Sequence, residues 1–309
     1  KLVIVMPVWS PGSYLLREFP KNVNLVRAKD ENGNELAVQK VSKNKWEINK
    51  GKAKKVIVNY EVYAFELTVR TSFLDKTHGY FNGTTIFTFP EGHINLGGTL
   101  TIIPHSSFKT ITAPLIESAE GFSTDNNAKT FIFDNFDHLA DSPVEIGNQE
   151  VFSFQAAGIK HNVAMYGPGN YDVEKLKVDM TKIVESTTNV FGQNPNKEYW
   201  FIIHNTDSRG GGLEHMNSTT LNVNRWTYGP EDYNKFLSLV AHEYFHVWNV
   251  KRLRPANLVE YDYSQENYTD LLWVMEGFTS YYDELILRRA GFYTEQEYMD
   301  VFKNTVNYV

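Results

Sequence analysis

The chain has 309 residues, of which 42% are hydrophobic and 22% charged, and its formal net charge is -7. This length favours two domains, and the interspersed charges exclude the concentrated basic face of a nucleic-acid-binding protein. Cysteine is absent, so a disulfide framework, a thiol nucleophile and a cysteine-bound metal are excluded, and any metal must be held by His, Asp and Glu.

The amino terminus, Lys1–Val8, is a short apolar run typical of a strand. It lacks the longer hydrophobic region and the cleavage site of a signal peptide. No stretch of the sequence has the apolar length that a membrane-spanning helix needs. We therefore expect a soluble protein, either cytoplasmic or, once a signal has been removed, periplasmic or secreted.

The first half of the sequence has a β-strand character. Short runs rich in β-branched and aromatic residues occur at Lys55–Tyr63, Thr99–Pro104 and Val151–Ala157, separated by turn signals such as Glu31–Asn34. This pattern predicts an all-β domain over residues 1–158.

The periodicity changes after this point. Tyr171–Phe191 is a long amphipathic pattern, with Asp172 placed as its N-cap and Gly192 placed just beyond its end. Tyr199–Asn205 is a continuous aromatic and β-branched run, which is typical of a buried strand. Residues 159–309 are therefore expected to form a mixed domain of helices and strands.

Three further helices are predicted towards the carboxyl end. The first begins near Pro230, a residue favoured at the first helical position, and continues beyond His246. The second covers about Asp270–Ala290. The third opens with the capping box Thr294–Glu297 and is still helical in pattern at Val309, so we expect the second domain to be truncated there.

The first of these helices contains an H-E-x-x-H motif, formed by His242, Glu243 and His246. Two imidazoles four positions apart lie on one helix face and can bind one zinc ion. Zinc lowers the pKa of a bound water, and a neighbouring carboxylate such as Glu243 can accept its proton during attack on a carbonyl. The bare motif is equally compatible with a helix that carries two surface histidines.

A catalytic zinc site needs a third protein ligand and one open position. Glu266 lies in a polar stretch that is typical of a solvated loop. Glu276 lies among large apolar residues in Leu271–Phe278, where a lone carboxylate is costly unless a cation compensates it. We therefore predict Glu276 as the third ligand; the alternative is a carboxylate on the exposed face of an amphipathic helix.

A glycine-rich segment precedes the metal motif. Gly210, Gly211 and Gly212 would let a backbone approach a ligand closely, and Glu214 could then face the α-ammonium group of a substrate. Taken alone, such a glycine run is more typical of a flexible loop. Gly211, Gly212 and Glu214 are the candidate substrate-binding residues.

Five segments together resemble the glycyl aminopeptidase family of PDZ-containing zinc peptidases. They are M-P-V-W-S-P-G-S-Y at Met6–Tyr14, D-S-P-V-E at Asp141–Glu145, G-G-L-E-H at Gly211–His215, H-E-Y-F-H-V-W-N-V-K-R-L-R-P at His242–Pro255 and L-W-V-M-E-G-F-T-S-Y-Y at Leu272–Tyr282. The layout more distantly resembles the aminopeptidase N group, which pairs a β domain with a thermolysin-like catalytic domain of the gluzincin type.

This resemblance implies one zinc ion per chain, bound by His242, His246 and Glu276, with Glu243 as general base. It also implies that Glu214 recognises the free amino terminus of a peptide substrate, with a preference for amino-terminal glycine or alanine. The family carries a PDZ domain after the catalytic domain, and nothing similar precedes Val309. The tyrosine that stabilises the oxyanion in the aminopeptidase N group would also fall beyond Val309.

Two other functions compete with the aminopeptidase. A zinc endopeptidase would use the same metal site but would leave Glu214 with no ammonium group to bind. A metal-binding scaffold could act through the missing PDZ domain, although the intact Glu243 argues against it. The sequence leaves the oligomeric state undetermined.

Overall fold

The computed structural model describes residues 1–13, 15–120, 127–208 and 210–308, and for residue 308 it describes the backbone only. Tyr14, at the end of the Met6–Tyr14 motif, and Val309 lie outside the described residues. The chain forms two compact units. The first contains Lys1–Asn148 and Glu260–Asn267, and the second contains Gln149–Val259 and the residues from Tyr268 onward.

The first unit is built from short antiparallel strands. In chain order they are β1 (Leu2–Val5), β2 (Val23–Asp30), β3 (Glu35–Leu36), β4 (Val38–Ser42), β5 (Lys45–Ile48), β6 (Val56–Val62), β7 (Ser72–Leu74), β8 (Gly79–Phe81), β9 (Phe89–Pro90), β10 (Gly98–Ile102), β11 (Thr110–Thr112), β12 (Ile116–Glu117), β13 (Lys129–Phe133) and β14 (Val144–Gly147). A short helix, α1 (Phe136–Ala140), and two 3-10 turns, Phe19–Asn22 and Gly83–Thr85, connect them. The expected all-β first domain is confirmed.

Small sheets with separate apolar cores make up this unit. Within the described residues the sheet orders are β4-β5-β1-β9, β10-β13-β12, β11-β14-β8-β7 and β3-β2-β6. One core packs around Met6, Trp46 and Ile48, which are almost fully buried. Burial of such side chains contributes on the order of 1.5–3 kcal/mol each, which is how short strands of this kind become stable.

The second unit contains a mixed sheet and the longer helices. Its strands are β15 (Glu150–Ala156), β16 (Ile159–Tyr166), β17 (Glu198–Thr206), β18 (Gly211–Glu214) and β19 (Ser218–Asn224), in the order β15-β16-β17-β19-β18. The inner pairs β16-β17 and β17-β19 are parallel, and the outer pairs β15-β16 and β18-β19 are antiparallel. Its helices are α2 (Val173–Phe191), α3 (Tyr233–Phe245), α4 (Phe278–Arg289) and α5 (Glu295–Tyr308), with a 3-10 turn at Ala256–Leu258 and a π-helical turn at Trp273–Gly277.

The domain boundary lies earlier than the expected Gly158. The strand at Glu150–Ala156 pairs along its whole length with β16, so it belongs to the sheet of the second unit. Alternating hydrophobicity predicts a strand but does not say which sheet the strand joins. A second difference is the return of Glu260–Asn267 to the first unit, where the Val8 N–H donates to the Tyr263 carbonyl at 2.8 Å.

Several elements of the second unit lie where the sequence predicts them. The Asp172 side chain accepts from the Lys175 N–H at the start of α2, and Gly192 ends that helix with a φ of 90°. Thr294 and Glu297 form the expected reciprocal capping box at α5. The strand predicted at Tyr199–Asn205 is β17. No helix among the described residues is both long and apolar enough to span a bilayer.

Helix α3 lies in the core of the second unit and packs against α2, α4, β18 and β19. Phe236, Leu237, Val240 and Tyr244 recur at helical spacing and are buried against the sheet. The helix starts at Tyr233, later than the predicted Pro230, and its last regular residue is Phe245, so His246 is its C-cap. The buried face leaves the opposite side of the final turn for polar side chains.

Candidate metal centre

Two imidazoles and one carboxylate converge beside the end of α3. The Nε2 atoms of His242 and His246 lie 3.5 Å and 3.8 Å from the same oxygen, Oε2 of Glu276. The structure thus brings together the three residues that the sequence analysis proposed as metal ligands, with donor atoms within 4.8 Å of one another.

This arrangement suits a tetrahedral cation. Zinc binds imidazole nitrogen and carboxylate oxygen at about 2.1 Å, so two of its ligands lie about 3.4 Å apart. The two separations of 3.5 Å and 3.8 Å are close to that value and are longer than an ordinary hydrogen bond. Two nitrogens and one oxygen also form the donor set of a catalytic zinc site. The residues present fit the ion that the sequence implies.

The opposite ring nitrogens of both histidines are anchored. His242 Nδ1 lies 2.9 Å from Oδ2 of Asp283, and His246 Nδ1 lies 2.9 Å from the carbonyl oxygen of Asn249. Each acceptor holds the ring proton on Nδ1, which leaves the Nε2 lone pair available for a metal. The anchors therefore orient both rings towards Glu276.

Negative charge is concentrated around His242. Burial alone would lower its pKa, but the carboxylates of Asp283, Glu276 and Glu243 raise the pKa of His242 to about 10. Burial lowers the pKa of His246, which is more deeply enclosed. Three carboxylates around two imidazoles make an anionic site, and a divalent cation would balance that charge.

Glu243 and Glu214 form a second group with His246. Their carboxylates and the His246 imidazole also have ligand atoms within 4.8 Å of one another, and all three side chains are buried. Gly212 explains how β18 comes so close, because a Cβ atom at this position would collide with the Glu243 carboxylate. Gly211, which has a φ of +75°, starts the strand in a conformation that favours glycine.

The Glu276 side chain is positioned by the π-helical turn Trp273–Gly277, where the sequence predicts a regular helix. Such turns are rare and occur frequently at functional sites. The burial expected for Glu276 is wrong: its side chain is 35% exposed, and the neighbouring Leu272 and Trp273 are exposed as well. Apolar residue types here do not create an apolar environment.

Glu266 is remote from this cluster in its contacts. It belongs to the first unit, where its Oε1 accepts a hydrogen bond from the Leu16 N–H at 3.1 Å. The group formed by His242, His246 and Glu276 does not include it.

Two residues of the site, Asn249 and Asp283, were not identified from a sequence motif. Asn249 holds His246 through its backbone carbonyl, a contact that residue type cannot reveal. Asp283 could have been found, because it lies two helical turns after Glu276 and residues at that spacing share a helix face. A search for carboxylates on the face of Glu276 would have returned it.

Two parts of the chain match models of known protein families. Residues 1–148 match the family model described as the Peptidase M61 N-terminal domain, and residues 235–309 match the one described as M61 glycyl aminopeptidase. Both models describe one class of protein, the peptidases. More narrowly, the chain belongs to the M61 peptidase family. No curated protein sequence matches the chain.

Solved structures are also similar to the chain. The crystal structure of an aminopeptidase N family protein from Idiomarina loihiensis has 35% identity and a TM-score of 0.89, and the match covers 96% of this chain and 51% of that protein. The chain thus spans about half the length of that relative. A two-domain M1 zinc metallopeptidase mutant bound to L-arginine has 14% identity and a TM-score of 0.53, covering 87% of this chain and 61% of that one. The second likeness is one of fold alone.

Proposed function

We propose that this chain carries the active site of a zinc-dependent aminopeptidase of the gluzincin type. The observation that carries the proposal is the convergence of both imidazole Nε2 atoms on Glu276 Oε2, with both Nδ1 atoms anchored. His242, His246 and Glu276 would hold one zinc ion per chain. The ion, when bound, supplies a Lewis acid for polarising a peptide carbonyl and acidifying water.

The chain's own residues perform the proton transfers. Glu243 is buried, lies in the group that includes His246, and is the general base. It accepts a proton from the attacking water and returns it to the amine that leaves when the peptide bond breaks. The close approach of Gly212 keeps its carboxylate from swinging towards β18.

A thermolysin-like catalytic domain is the finer fold assignment that we infer. Its support is the order of parts: a mixed sheet, the metal-motif helix α3 packed on it, and the third ligand at the start of the next long helix. In the described residues β18 is the outer strand of that sheet, so an extended peptide can pair with its free edge.

Glu214 is the residue that we propose for amino-terminal recognition. It ends β18, is 7% exposed, and shares a buried group with Glu243 and His246. A buried carboxylate such as Glu214 is stabilised by a positive group beside it, and a substrate's α-ammonium group supplies one. We also propose a preference for amino-terminal glycine or alanine; the family's description as glycyl aminopeptidase supports glycine.

The test pairs metal analysis with matched substrates. We expect about one zinc per chain and faster hydrolysis of alanyl p-nitroanilide than of its N-acetylated counterpart. Glu214→Gln keeps the side-chain volume and should lower kcat/KM for the free-amino substrate about tenfold to a hundredfold, the worth of a charge-assisted hydrogen bond. Hydrolysis of the acetylated substrate should not change.

Other outcomes identify the competing functions. Efficient cleavage of blocked peptides, with equal losses on both substrates in Glu214→Gln, would identify an endopeptidase in which Glu214 only supports the site. Stoichiometric zinc without turnover of any peptide would favour the scaffold. Absence of zinc binding would contradict the proposed metal centre itself.

A further inference from the structure

Asn249 connects the loop after α3 with the turn that carries Glu276. It is 7% exposed. The two hydrogens of its side-chain Nδ2 are shared among three acceptors, the carbonyl of Val274 at 3.1 Å, the carbonyl of Met275 at 2.9 Å and Oγ1 of Thr279 at 3.0 Å. All three acceptors lie in or next to the π-helical turn Trp273–Gly277.

A π-helical turn needs such a donor. Its extra residue shifts the main-chain hydrogen bonds, so carbonyl groups that a regular helix would pair within itself must find other donors. Met275 is buried, which excludes water as an easy substitute. The Thr279 hydroxyl donates to the Met275 carbonyl at 2.6 Å, and the Asn249 amide supplies the other bonds. The wide turn therefore depends on a side chain from a different element.

The same residue also fixes one of the histidines. The Asn249 backbone carbonyl lies 2.9 Å from His246 Nδ1, and Thr279 Oγ1 lies 3.5 Å from that nitrogen. The main chain of Asn249 therefore orients the His246 ring, while its side chain orients the turn that carries Glu276.

The backbone beside Asn249 is strained and is held in this conformation by its contacts. Val250 has a φ of +92°, a conformation that is unfavourable for a β-branched residue. Its N–H donates to the Leu253 carbonyl at 3.2 Å, and its carbonyl accepts from Arg254 Nε at 3.1 Å. Strain of this kind costs about 1–3 kcal/mol and persists where surrounding contacts determine the conformation.

We infer that Asn249 is a positioning residue that sets the distance between the His246 imidazole and the Glu276 carboxylate. Its role towards zinc rests on the proposed function, whereas its hold on the π-helical turn does not. Without the amide, the turn relaxes towards a regular helix, and Glu276 shifts away from the two imidazoles.

The experiment compares Asn249→Ala with Asn205→Ala. Asn205 is a matched control because it is also buried in the second unit and its amide also donates to two main-chain carbonyls, those of Tyr166 and Gly167, at 3.2 Å. Asn249→Asp serves as a second variant, since it keeps the volume and removes the donor. Hydrogen exchange over residues 271–279 is measured in the metal-free proteins, and zinc affinity is measured by chelator competition.

We expect faster exchange at residues 271–279 in both Asn249 variants and not in Asn205→Ala. Zinc affinity should fall about tenfold to a hundredfold, as for other residues that orient metal ligands. The absorption spectrum of the cobalt(II) form should change in the Asn249 variants, because it reports ligand geometry. Unchanged exchange at 271–279, or a zinc affinity and cobalt spectrum equal to those of Asn205→Ala, would overturn the inference.

The two proposals fail separately. If the wild-type protein does not bind zinc, the proposed function fails, and the exchange measurement still decides whether Asn249 holds the turn. If the wild type binds zinc but the Asn249 variants do not differ from the Asn205→Ala control, the positioning role of Asn249 is wrong and the proposed function stands.

Discussion

At the scale of single residues, the absence of a Cβ atom at Gly212 allows Glu243, the proposed general base, to lie close to β18. A Cβ atom there would collide with the Glu243 carboxylate, so Gly212→Ala must displace either β18 or that side chain. We expect kcat/KM to fall about a hundredfold, because small misplacements of a reacting group cost that much. Expressed as free energy, the loss in kcat/KM should exceed the loss in the free energy of unfolding.

Gly229→Ala provides the matched control. An added Cβ at Gly229 would meet Asn170 Nδ2 at an ordinary 3.5 Å. Its activity should stay within a factor of two or so of wild type. Equal activities for Gly212→Ala and Gly229→Ala would remove the steric explanation for the glycine-rich segment.

Glu243 itself gives the second prediction at this scale. Glu243→Gln preserves the size of the side chain but cannot accept a proton, so turnover of alanyl p-nitroanilide should fall by about 10²–10⁴-fold. Zinc content should remain that of wild type, since Glu243 is not a proposed ligand. Glu185→Gln, on the exposed part of α2, is the control for a neutralised carboxylate. A Glu243→Gln enzyme with wild-type kcat would exclude Glu243 as general base.

At the scale of elements, helix α3 is anchored on the side opposite the proposed metal ligands. The Tyr244 hydroxyl lies 2.8 Å from His161 Nε2 on β16 and accepts from Asn194 at 2.6 Å. Burial lowers the pKa of His161 from 6.5 to about 4. Between these values the unfolded chain binds a proton that the folded protein does not, so folding stability is lost as the pH falls from about 6.5 to about 4.

His161→Gln tests this anchor. The free energy of unfolding of the wild type should fall by about 2 kcal/mol, through His161, when the pH falls from about 7 to 5. Each unit of pKa difference corresponds to about 1.4 kcal/mol. The variant is less stable at pH 7 but should lack this loss. Exposed His93→Gln is the control. Native-state hydrogen exchange of α3 at the two pH values measures the effect, and parallel losses in wild type and His161→Gln would contradict the assignment.

The elements also show which parts of the fold can be predicted from the sequence. Helix α2, strand β17 and the α5 capping box depend on neighbours a few residues away, so periodicity and capping residues predict them. The π-helical turn depends on the amide of Asn249, which is distant in sequence and looks like any loop asparagine. Likewise, alternation identifies Val151–Ala157 as a strand, but only pairing with β16 assigns it to the second unit.

At the scale of the whole molecule, the chain passes between the two units after Asn148, Val259 and Asn267. The segment Glu260–Asn267 lies in sequence between α3 and the turn that carries Glu276, yet it is part of the first unit. Its central residue, Tyr263, is 2% exposed and packs edge-on against Phe136 with ring centroids 5.3 Å apart. Local sequence could not predict this, because a polar stretch with two tyrosines is typical of a solvated loop.

Tyr263→Ala should therefore destabilise the first unit and leave the second one folded. Removing a buried aromatic ring typically costs about 3–5 kcal/mol, because the transfer free energy is lost and a cavity remains. Tyr263→Phe is the matched control, since it keeps the ring and removes only the hydroxyl. Hydrogen exchange should accelerate in Tyr263→Ala at α1, which contains Phe136, and at β13, which precedes it. Helix α3 should keep its wild-type protection. Faster exchange confined to α3, with α1 unchanged, would mean that Glu260–Asn267 stabilises the second unit instead.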